Sequence, residues 1–265
     1  MNKILITAVF FLFVQSSIAQ KGIDNLIRAE KDFAAWAVAH STKEAFLKYM
    51  DSSSIMFDDG KPVKGIEFWN KREKKSTVLK WRPLYASIAS SGDFGFTTGP
   101  WTFQASANDT IAARGQFITV WHMNKKGEWK FLVDLGVNNT GVENDTGTHK
   151  LTFVKLRYRS RESLLRAEEK FINESKDDVR EAYFNNIRGM SILARNKISS
   201  NIASWEQQTF RENVQYTING SGIASSGEIG YVYGTTIIDG KTDNYLRIWR
   251  SEKTGWKIAV EVLRY

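Results

Sequence analysis

The sequence contains an internal repeat, and this feature constrains the fold more than any other. Six short blocks recur in the same order, shifted by 138 residues at the start and by 128 residues further on. The clearest pairs are Ala29–Phe33 with Ala167–Phe171, Ser90–Phe96 with Ser225–Tyr231, and Ile118–Trp121 with Leu246–Trp249. A repeat of this kind predicts two copies of one domain. We therefore predict a first domain over residues 20–137, a linker over 138–160 and a second domain over 161–265.

Each copy has the pattern of helices followed by strands. In the first copy, Leu26, Ala29, Phe33, Trp36 and Ala37 follow the spacing of an amphipathic helix. Shorter helices are predicted near residues 42–50, capped at position 41 or 42, and near 66–75. Strands are predicted at residues 54–58, 81–90, 94–104, 114–123 and 129–137. The pattern predicts an α+β fold in each copy, with about three N-terminal helices on a curved antiparallel sheet.

The first residues have the pattern of a secretory signal peptide. Lys3 precedes the apolar stretch Ile4–Val14, and small residues occupy Ser17–Ala19. We expect cleavage after Ala19, with an uncleaved N-terminal anchor as the alternative. The chain has no cysteine, so it can form no disulfide and use no thiol chemistry. The protein is therefore expected to be exported, periplasmic or secreted, and to be stable through its cores alone.

The charge pattern and the motifs exclude several classes of function. The net charge is +8, but acidic and basic residues are interleaved along most of the chain. No nucleic-acid-binding module accompanies the basic clusters at 71–75 and 157–161, so no nucleic-acid partner is predicted. No spacing of histidine and acidic residues resembles a metal site, and no phosphate loop or dinucleotide fingerprint occurs. We predict neither a metal nor a cofactor.

Several blocks resemble those of a known superfamily. The segment SSGDFGFTTGPW at 90–101, the strand ending ITVW at 118–121 and the segment GEWKFLVDLG at 127–136 are similar to the SnoaL-like branch of the nuclear-transport-factor-2-like (NTF2-like) superfamily. The resemblance covers both copies and implies cone-shaped domains, each with an apolar cavity between a curved sheet and a long helix. Members include ketosteroid isomerase, polyketide cyclases, dehydratases, epoxide hydrolases and binding modules, so the resemblance leaves the function open.

The cavity implied by the resemblance needs a wall of large apolar side chains. The rings expected to line it are, in the first copy, Trp36, Phe57, Trp69, Trp81, Trp101 and Trp121 and, in the second, Phe171, Tyr216, Tyr233, Tyr245 and Trp249. For any single ring, packing in the core is the alternative.

Asp58 ends the first predicted strand, where the resemblance implies the catalytic base of ketosteroid isomerase. The tyrosine and protonated aspartate that assist this base in the isomerase are replaced here by Phe33 or Ala34 and by Thr119. Because these residues offer little help to a developing oxyanion, steroid isomerisation is not expected. The alternative for Asp58–Gly60 is an ordinary turn.

Asp134 is the stronger candidate for an acid or base. Simple alternation along the last strand places the apolar residues 129, 131, 133 and 135 on one face and Asp134 on the other. A carboxyl group facing an apolar cone would have a raised pKa; a salt bridge at the sheet rim is the alternative. Glu261 takes the same place in the second copy. His122 is a second candidate for proton transfer only if it, and not Trp121, faces the pocket.

The second copy lacks the first copy's candidate base. Leu193 stands in place of Asp58, and Arg247 stands in place of Thr119. Arg247 is expected either to bind an anionic ligand group or to face solvent. The leading hypothesis is a small-molecule-binding protein whose ligand is apolar or amphipathic. The alternatives are an isomerase, dehydratase or hydrolase using Asp58 and Asp134, and a structural or protein-interaction module whose sheets pack together within the chain or between copies.

Overall fold

A computed structural model describes residues 22–140, 145–152, 157–196 and 210–265. The predicted signal peptide at residues 1–19 lies outside the described residues, as does the segment 197–209. We call residues 22–140 the first half and residues 157–265 the second half. No helix in the described ranges combines the length and the hydropathy that a membrane span requires.

The first half begins with helices and continues into a sheet. Helix α1 covers residues 22–39. The elements that follow are α2 (Thr42–Tyr49), β1 (Met50–Asp58), β2 (Lys61–Lys64), α3 (Gly65–Asn70), β3 (Val78–Trp81), β4 (Tyr85–Ile88), β5 (Phe94–Gln104), β6 (Ala113–Met123) and β7 (Trp129–Asn138). The short strand β8 (His149–Lys150) lies between the two halves in sequence and pairs with β4. Helix α2 begins where predicted, because the Ser41 hydroxyl accepts a hydrogen bond from the Glu44 backbone N–H.

Strand β1 begins at Met50, four residues before the predicted start. Two further predicted elements differ from those observed, each for a local reason. Helix α3 ends at Asn70 and not near Lys75, because four of the next five residues are cationic and would repel one another along a helix. The single strand predicted over 81–90 is two strands, β3 and β4. Pro83 lies between them and has no N–H to continue a ladder.

The second half repeats this order with fewer described elements. They are α4 (Arg161–Asp177), α5 (Val179–Asn186), β9 (Ile187–Arg195), β10 (Gln215–Ile223), β11 (Ile229–Ile238), β12 (Lys241–Glu252) and β13 (Gly255–Leu263). The sheet orders are β2-β1-β7-β6-β5-β4-β8, with β3 also pairing β5, and β10-β11-β12-β13-β9. In each sheet the first long strand runs parallel to the last one. The fold is thus α+β as predicted, but the sheets are mixed and not wholly antiparallel.

A β-bulge interrupts the last strand of each half, β7 in the first and β13 in the second. Val120 pairs with Val133, but Trp121 pairs with Phe131, so Leu132 is an extra residue in β7. Phe131 packs among the helices, whereas Val133 packs between the sheets. The prediction that residues 129, 131, 133 and 135 share one face was therefore wrong. Strand β13 has the same bulge one residue after Ile258.

The two sheets pack against each other through a shared hydrophobic core. Fully buried residues of β6 and β12, among them Ile118 and Leu246, belong to this core. Phe94 and Tyr231 stack across it, with ring centroids 6.1 Å apart. At one edge, the Ser91 backbone N–H donates to the Ser226 hydroxyl at 3.1 Å. The opposite face of each sheet is covered by the helices of its own half.

Candidate active or binding site

A cavity of about 320 Å³ opens between the sheet and the helices of the first half. Its walls are mainly aromatic, and three polar side chains reach it. The aromatic residues that line it are Phe46, Trp81, Trp101, Phe103 and Phe117, and the polar ones are Asp134, Asn138 and Arg264. An apolar cavity with a few convergent polar groups is the typical form of a small-molecule site.

Asp134 reaches the cavity because of the bulge in β7, which turns its side chain to the same face as Phe131. The carboxylate is half-buried and accepts a hydrogen bond from the Thr119 hydroxyl at 2.7 Å. Burial and, to a smaller extent, the nearby Glu30 raise the pKa of Asp134 to about 7, although Thr119 and Arg264 oppose the shift. Asp134 can therefore change its protonation state near neutral pH.

Glu30 is a buried carboxyl group that the sequence analysis missed. It lies on the inner face of α1 with its side chain fully buried. The indole N–H groups of Trp81 and Trp121 donate to it at 2.5 and 2.9 Å, and the Thr97 hydroxyl donates to it as well. Burial raises the pKa of Glu30 although these bonds oppose the shift. The available signal was its position four residues after Leu26, on the apolar face of the predicted helix.

Arg264 reaches the same cavity from the end of the second half. Its Nε–H donates to the Gly136 carbonyl at 2.6 Å, and its Nη1 lies 3.9 Å from an Asp243 carboxylate oxygen. Burial lowers the pKa of Arg264, while Asp243 and Asp134 oppose the shift. The site therefore combines residues that are distant in sequence, and no sequence pattern pointed to Arg264.

Only some of the rings predicted to line the cavity of the first half do so. Trp81 and Trp101 do line it, whereas Trp121 is fully buried behind it against Glu30. The other predicted rings of the first half lie elsewhere. Trp36 stacks on the imidazole of His40, with ring centroids 4.0 Å apart.

Phe57 and Trp69 are also outside the aromatic cavity. Phe57 packs between the sheets against Tyr233, with ring centroids 5.9 Å apart. Trp69 lines a neighbouring cavity of about 460 Å³ together with Arg72. The two cavities share Leu79 and Phe103 as part of their walls.

The structure places Asp58 and His122 away from Asp134. Asp58 is exposed and forms an ion pair with Arg72 at 2.8 Å. His122 contacts Asp51 at 2.9 Å, on the face of β6 opposite Trp121. Neither residue is among those lining the aromatic cavity.

All but one of the predicted site residues of the second half belong to or surround a buried charge cluster. Arg247 is fully buried and forms ion pairs with the carboxylates of Glu168 and Glu261. It therefore does not face solvent. Arg195 also pairs with Glu261, and although burial opposes the shift, the two arginines hold the pKa of Glu261 below its ordinary value.

Aromatic side chains enclose this cluster. The Arg247 guanidinium lies over the rings of Phe171, Tyr245 and Tyr216, with its carbon 4.3, 4.8 and 5.0 Å from the three centroids. The Trp249 indole N–H donates to Glu168 at 2.7 Å. The predicted residues other than Tyr233 are thus together, but their charged groups bind one another. Tyr233 was predicted to line the second cavity, but it packs between the sheets against Phe57.

Neither a family model nor a curated protein matches the sequence. The structure is similar to a proposed ketosteroid isomerase from Shewanella frigidimarina, with 16% identity and a TM-score of 0.33, over 41% of this chain and 91% of that one. It is similar to an NTF2-like protein of unknown function from Shewanella oneidensis, with 12% identity and a TM-score of 0.31, over 39% of this chain and 98% of that one. It is also similar to an NTF2-like protein involved in plasmid conjugation, with 8% identity and a TM-score of 0.26, over 92% of this chain and 96% of that one. These solved structures are NTF2-like or ketosteroid isomerase-like proteins.

Proposed function

We propose that the chain consists of two tandem NTF2-like domains and that the first of them binds a small, mainly apolar molecule in the aromatic cavity. The observation that carries the proposal is the cavity itself, about 320 Å³ in volume and walled by five aromatic side chains. Such a wall removes apolar ligand surface from water, which contributes about 25 cal/mol of favourable free energy per Å² buried. Asp134 and Arg264 supply the polar contacts that would orient the ligand.

The tandem arrangement is supported by the matching paths of the two sheets. In both halves the first strand pairs with the last, and the same bulge precedes the acidic residue, Asp134 or Glu261. The second half differs in that Arg247 occupies the interior of its cone. We therefore assign ligand binding to the first half.

Ligand binding is tested by thermal unfolding in the presence of small aromatic alcohols such as 3-phenylpropan-1-ol. A ligand at a hundredfold its dissociation constant stabilises the folded state by about 2.7 kcal/mol, which raises the unfolding temperature by several degrees. We expect Trp101→Ala to abolish the increase. The matched control is Trp36→Ala, which removes an indole outside the cavity and should retain it. An increase that persists in Trp101→Ala would contradict the assignment of the cavity.

A second candidate function is acid–base catalysis by Asp134. The observation that favours it is a half-buried carboxyl group that lines the cavity and has a pKa of about 7. Such a group can both donate and accept a proton near neutral pH. Asp58, which is exposed and paired with Arg72, has no contact that supports a role in the same reaction. If a bound compound is converted by the protein and not by Asp134→Asn, the enzyme hypothesis replaces simple binding.

A further inference from the structure

The second half shows which chemical group fits between the two acidic residues of such a domain. Arg247 there lies between Glu168 and Glu261, with its Nη1 and Nε groups donating to one carboxylate each. All three side chains are fully buried. The two negative charges are thus bridged by one planar cation inside the domain.

The first half has the same two acidic positions without the cation. Glu30 of the first half is equivalent to Glu168 of the second, and Asp134 is equivalent to Glu261. Likewise, Thr119 is equivalent to Arg247 and Trp121 to Trp249. The strand registers match, since Thr119 pairs with Asp134 as Arg247 pairs with Glu261. The indole bonds match as well, since each tryptophan donates to the glutamate of its own half. Thr119 is much shorter than arginine and brings no positive charge to Asp134, and the cavity opens beside that carboxylate.

The aromatic surroundings of this space are also retained. Phe33, Trp81 and Phe117 stand at the positions of Phe171, Tyr216 and Tyr245, the three rings around the Arg247 guanidinium. Trp81 and Phe117 line the cavity of the first half. Aromatic faces attract cations, and most strongly where water is excluded. The cavity therefore retains one carboxylate, that of Asp134, and two of the three rings of a cation site.

We propose that the aromatic cavity binds an organic cation, a protonated amine or a guanidinium group on an apolar body, with Asp134 as its counter-ion. In this arrangement the ligand's charged group contacts Asp134 as the Arg247 guanidinium contacts Glu261 in the second half. The proposal rests on ligand binding in the aromatic cavity and specifies the class of ligand.

Arg264 does not turn the cavity into an anion site. Its charge is opposed by Asp243, 3.9 Å away, and its Nε–H is already bound to the Gly136 carbonyl. Asp134 accepts a neutral hydroxyl hydrogen bond from Thr119 and forms no ion pair within 4.0 Å among the described residues. With Asp134 ionised, the charges of Asp134, Arg264 and Asp243 sum to a net negative charge, which favours a cationic ligand.

The test compares three probes of similar shape by calorimetric titration at pH 8, where Asp134 is mainly ionised. The probes are 3-phenylpropylamine, which is protonated at that pH, the neutral 3-phenylpropan-1-ol and the anionic 3-phenylpropionate. We expect the amine to bind at least tenfold more tightly than the alcohol, and the propionate to bind most weakly. The Asp134→Asn variant should lose the preference for the amine while still binding the alcohol, which also shows that the variant is folded.

A second variant tests the comparison between the halves directly. Thr119→Arg places in the first half the residue found in the second, and we expect it to abolish binding of the amine without unfolding the protein. Equal affinity for the amine and the alcohol, or a tighter propionate, would overturn the cation proposal and leave ligand binding intact. Failure of all three probes to bind would instead contradict the proposed function.

Discussion

At the scale of single residues, one substitution distinguishes the interiors of the two halves. Arg247 lies between Glu168 and Glu261 and, together with Arg195, balances their two negative charges, whereas Thr119 brings no cation to Asp134, which lines a cavity. A buried charge is tolerated when it is paired, and a buried acid without a cation raises its pKa. Asp134 accordingly has a pKa of about 7, while the pKa of Glu261 is lowered.

The pKa of Asp134 predicts a pH-dependent contribution to stability. Its pKa is about 7 in the folded protein and 3.8 as an ordinary carboxyl group, so the folded state holds the proton more strongly. The contribution is complete below pH 4 and is lost as pH rises through 7. Asp134→Asn, which cannot ionise, should therefore gain stability relative to the parent protein by about 1–3 kcal/mol between pH 4 and pH 8.

The measurement is urea unfolding at a series of pH values. Glu30 and Arg264, the charged groups that act on Asp134, are unchanged in the variant. Asp58→Asn removes an exposed carboxylate and serves as the control, for which we expect no comparable gain. A stability difference between parent and Asp134→Asn that does not change with pH would show that Asp134 does not titrate in this range.

At the scale of secondary-structure elements, bulges decide which residues reach the cavity. The extra residue Leu132 turns Asp134 inward and leaves Val133 between the sheets. The same device in β13 turns Glu261 inward. Without the bulge, a strand of this length would have to place its large apolar residues on a single face. Because of the bulge, β7 contributes large apolar side chains both to the core beneath the helices and to the core between the sheets.

The helix cap at Ser41 is an element-scale feature with a measurable contribution. Its hydroxyl accepts a hydrogen bond from the Glu44 N–H at 3.2 Å at the start of α2. We expect Ser41→Ala to lower the free energy of unfolding by about 1 kcal/mol, measured by urea denaturation. Ser52→Ala, at an exposed position of β1, should change it by less than about 0.5 kcal/mol. Equal effects of the two substitutions would argue against a role for the cap.

At the scale of the whole molecule, the two halves share a core between their sheets. Residues of β5, β6 and β7 pack against residues of β11, β12 and β13, and Arg264 of the second half reaches the cavity of the first. Each sheet is thus buried on one face by helices and on the other by its neighbour. Because neither half has this core alone, we expect the halves to unfold together.

Joint unfolding is tested with Leu246→Ala in the shared core. The side chain is fully buried in β12, so its truncation should cost about 2–5 kcal/mol. If the halves unfold together, hydrogen exchange will show equal loss of protection in β12 and in β6 of the other half. Ile237→Ala, an exposed position of β11, is the control. A loss confined to β12 would mean that the halves unfold independently.

Much of the fold could be predicted from local patterns. The helices at the start of each half, strand β5, the cap of α2 and the α+β class follow from spacing, turn residues and the repeat. The limits of α3 and the division at Pro83 were missed, because charge repulsion and a single proline outweighed the apolar pattern. The signal peptide and the boundaries of the two domains remain predictions.

The site was less predictable because it depends on contacts between distant segments. By itself, the sequence determined the repeat, the class of each half and the presence of Asp134 and Trp101 near a sheet-lined interior, since these depend on periodicity and composition. Only the tertiary structure decided that Leu132 is a bulge, that Glu30 is buried and that Arg264 reaches the cavity. It also decided that Arg247 is paired inside its own half. Each of these depends on which side chains meet across elements, where packing and the cost of burying charge override local pattern.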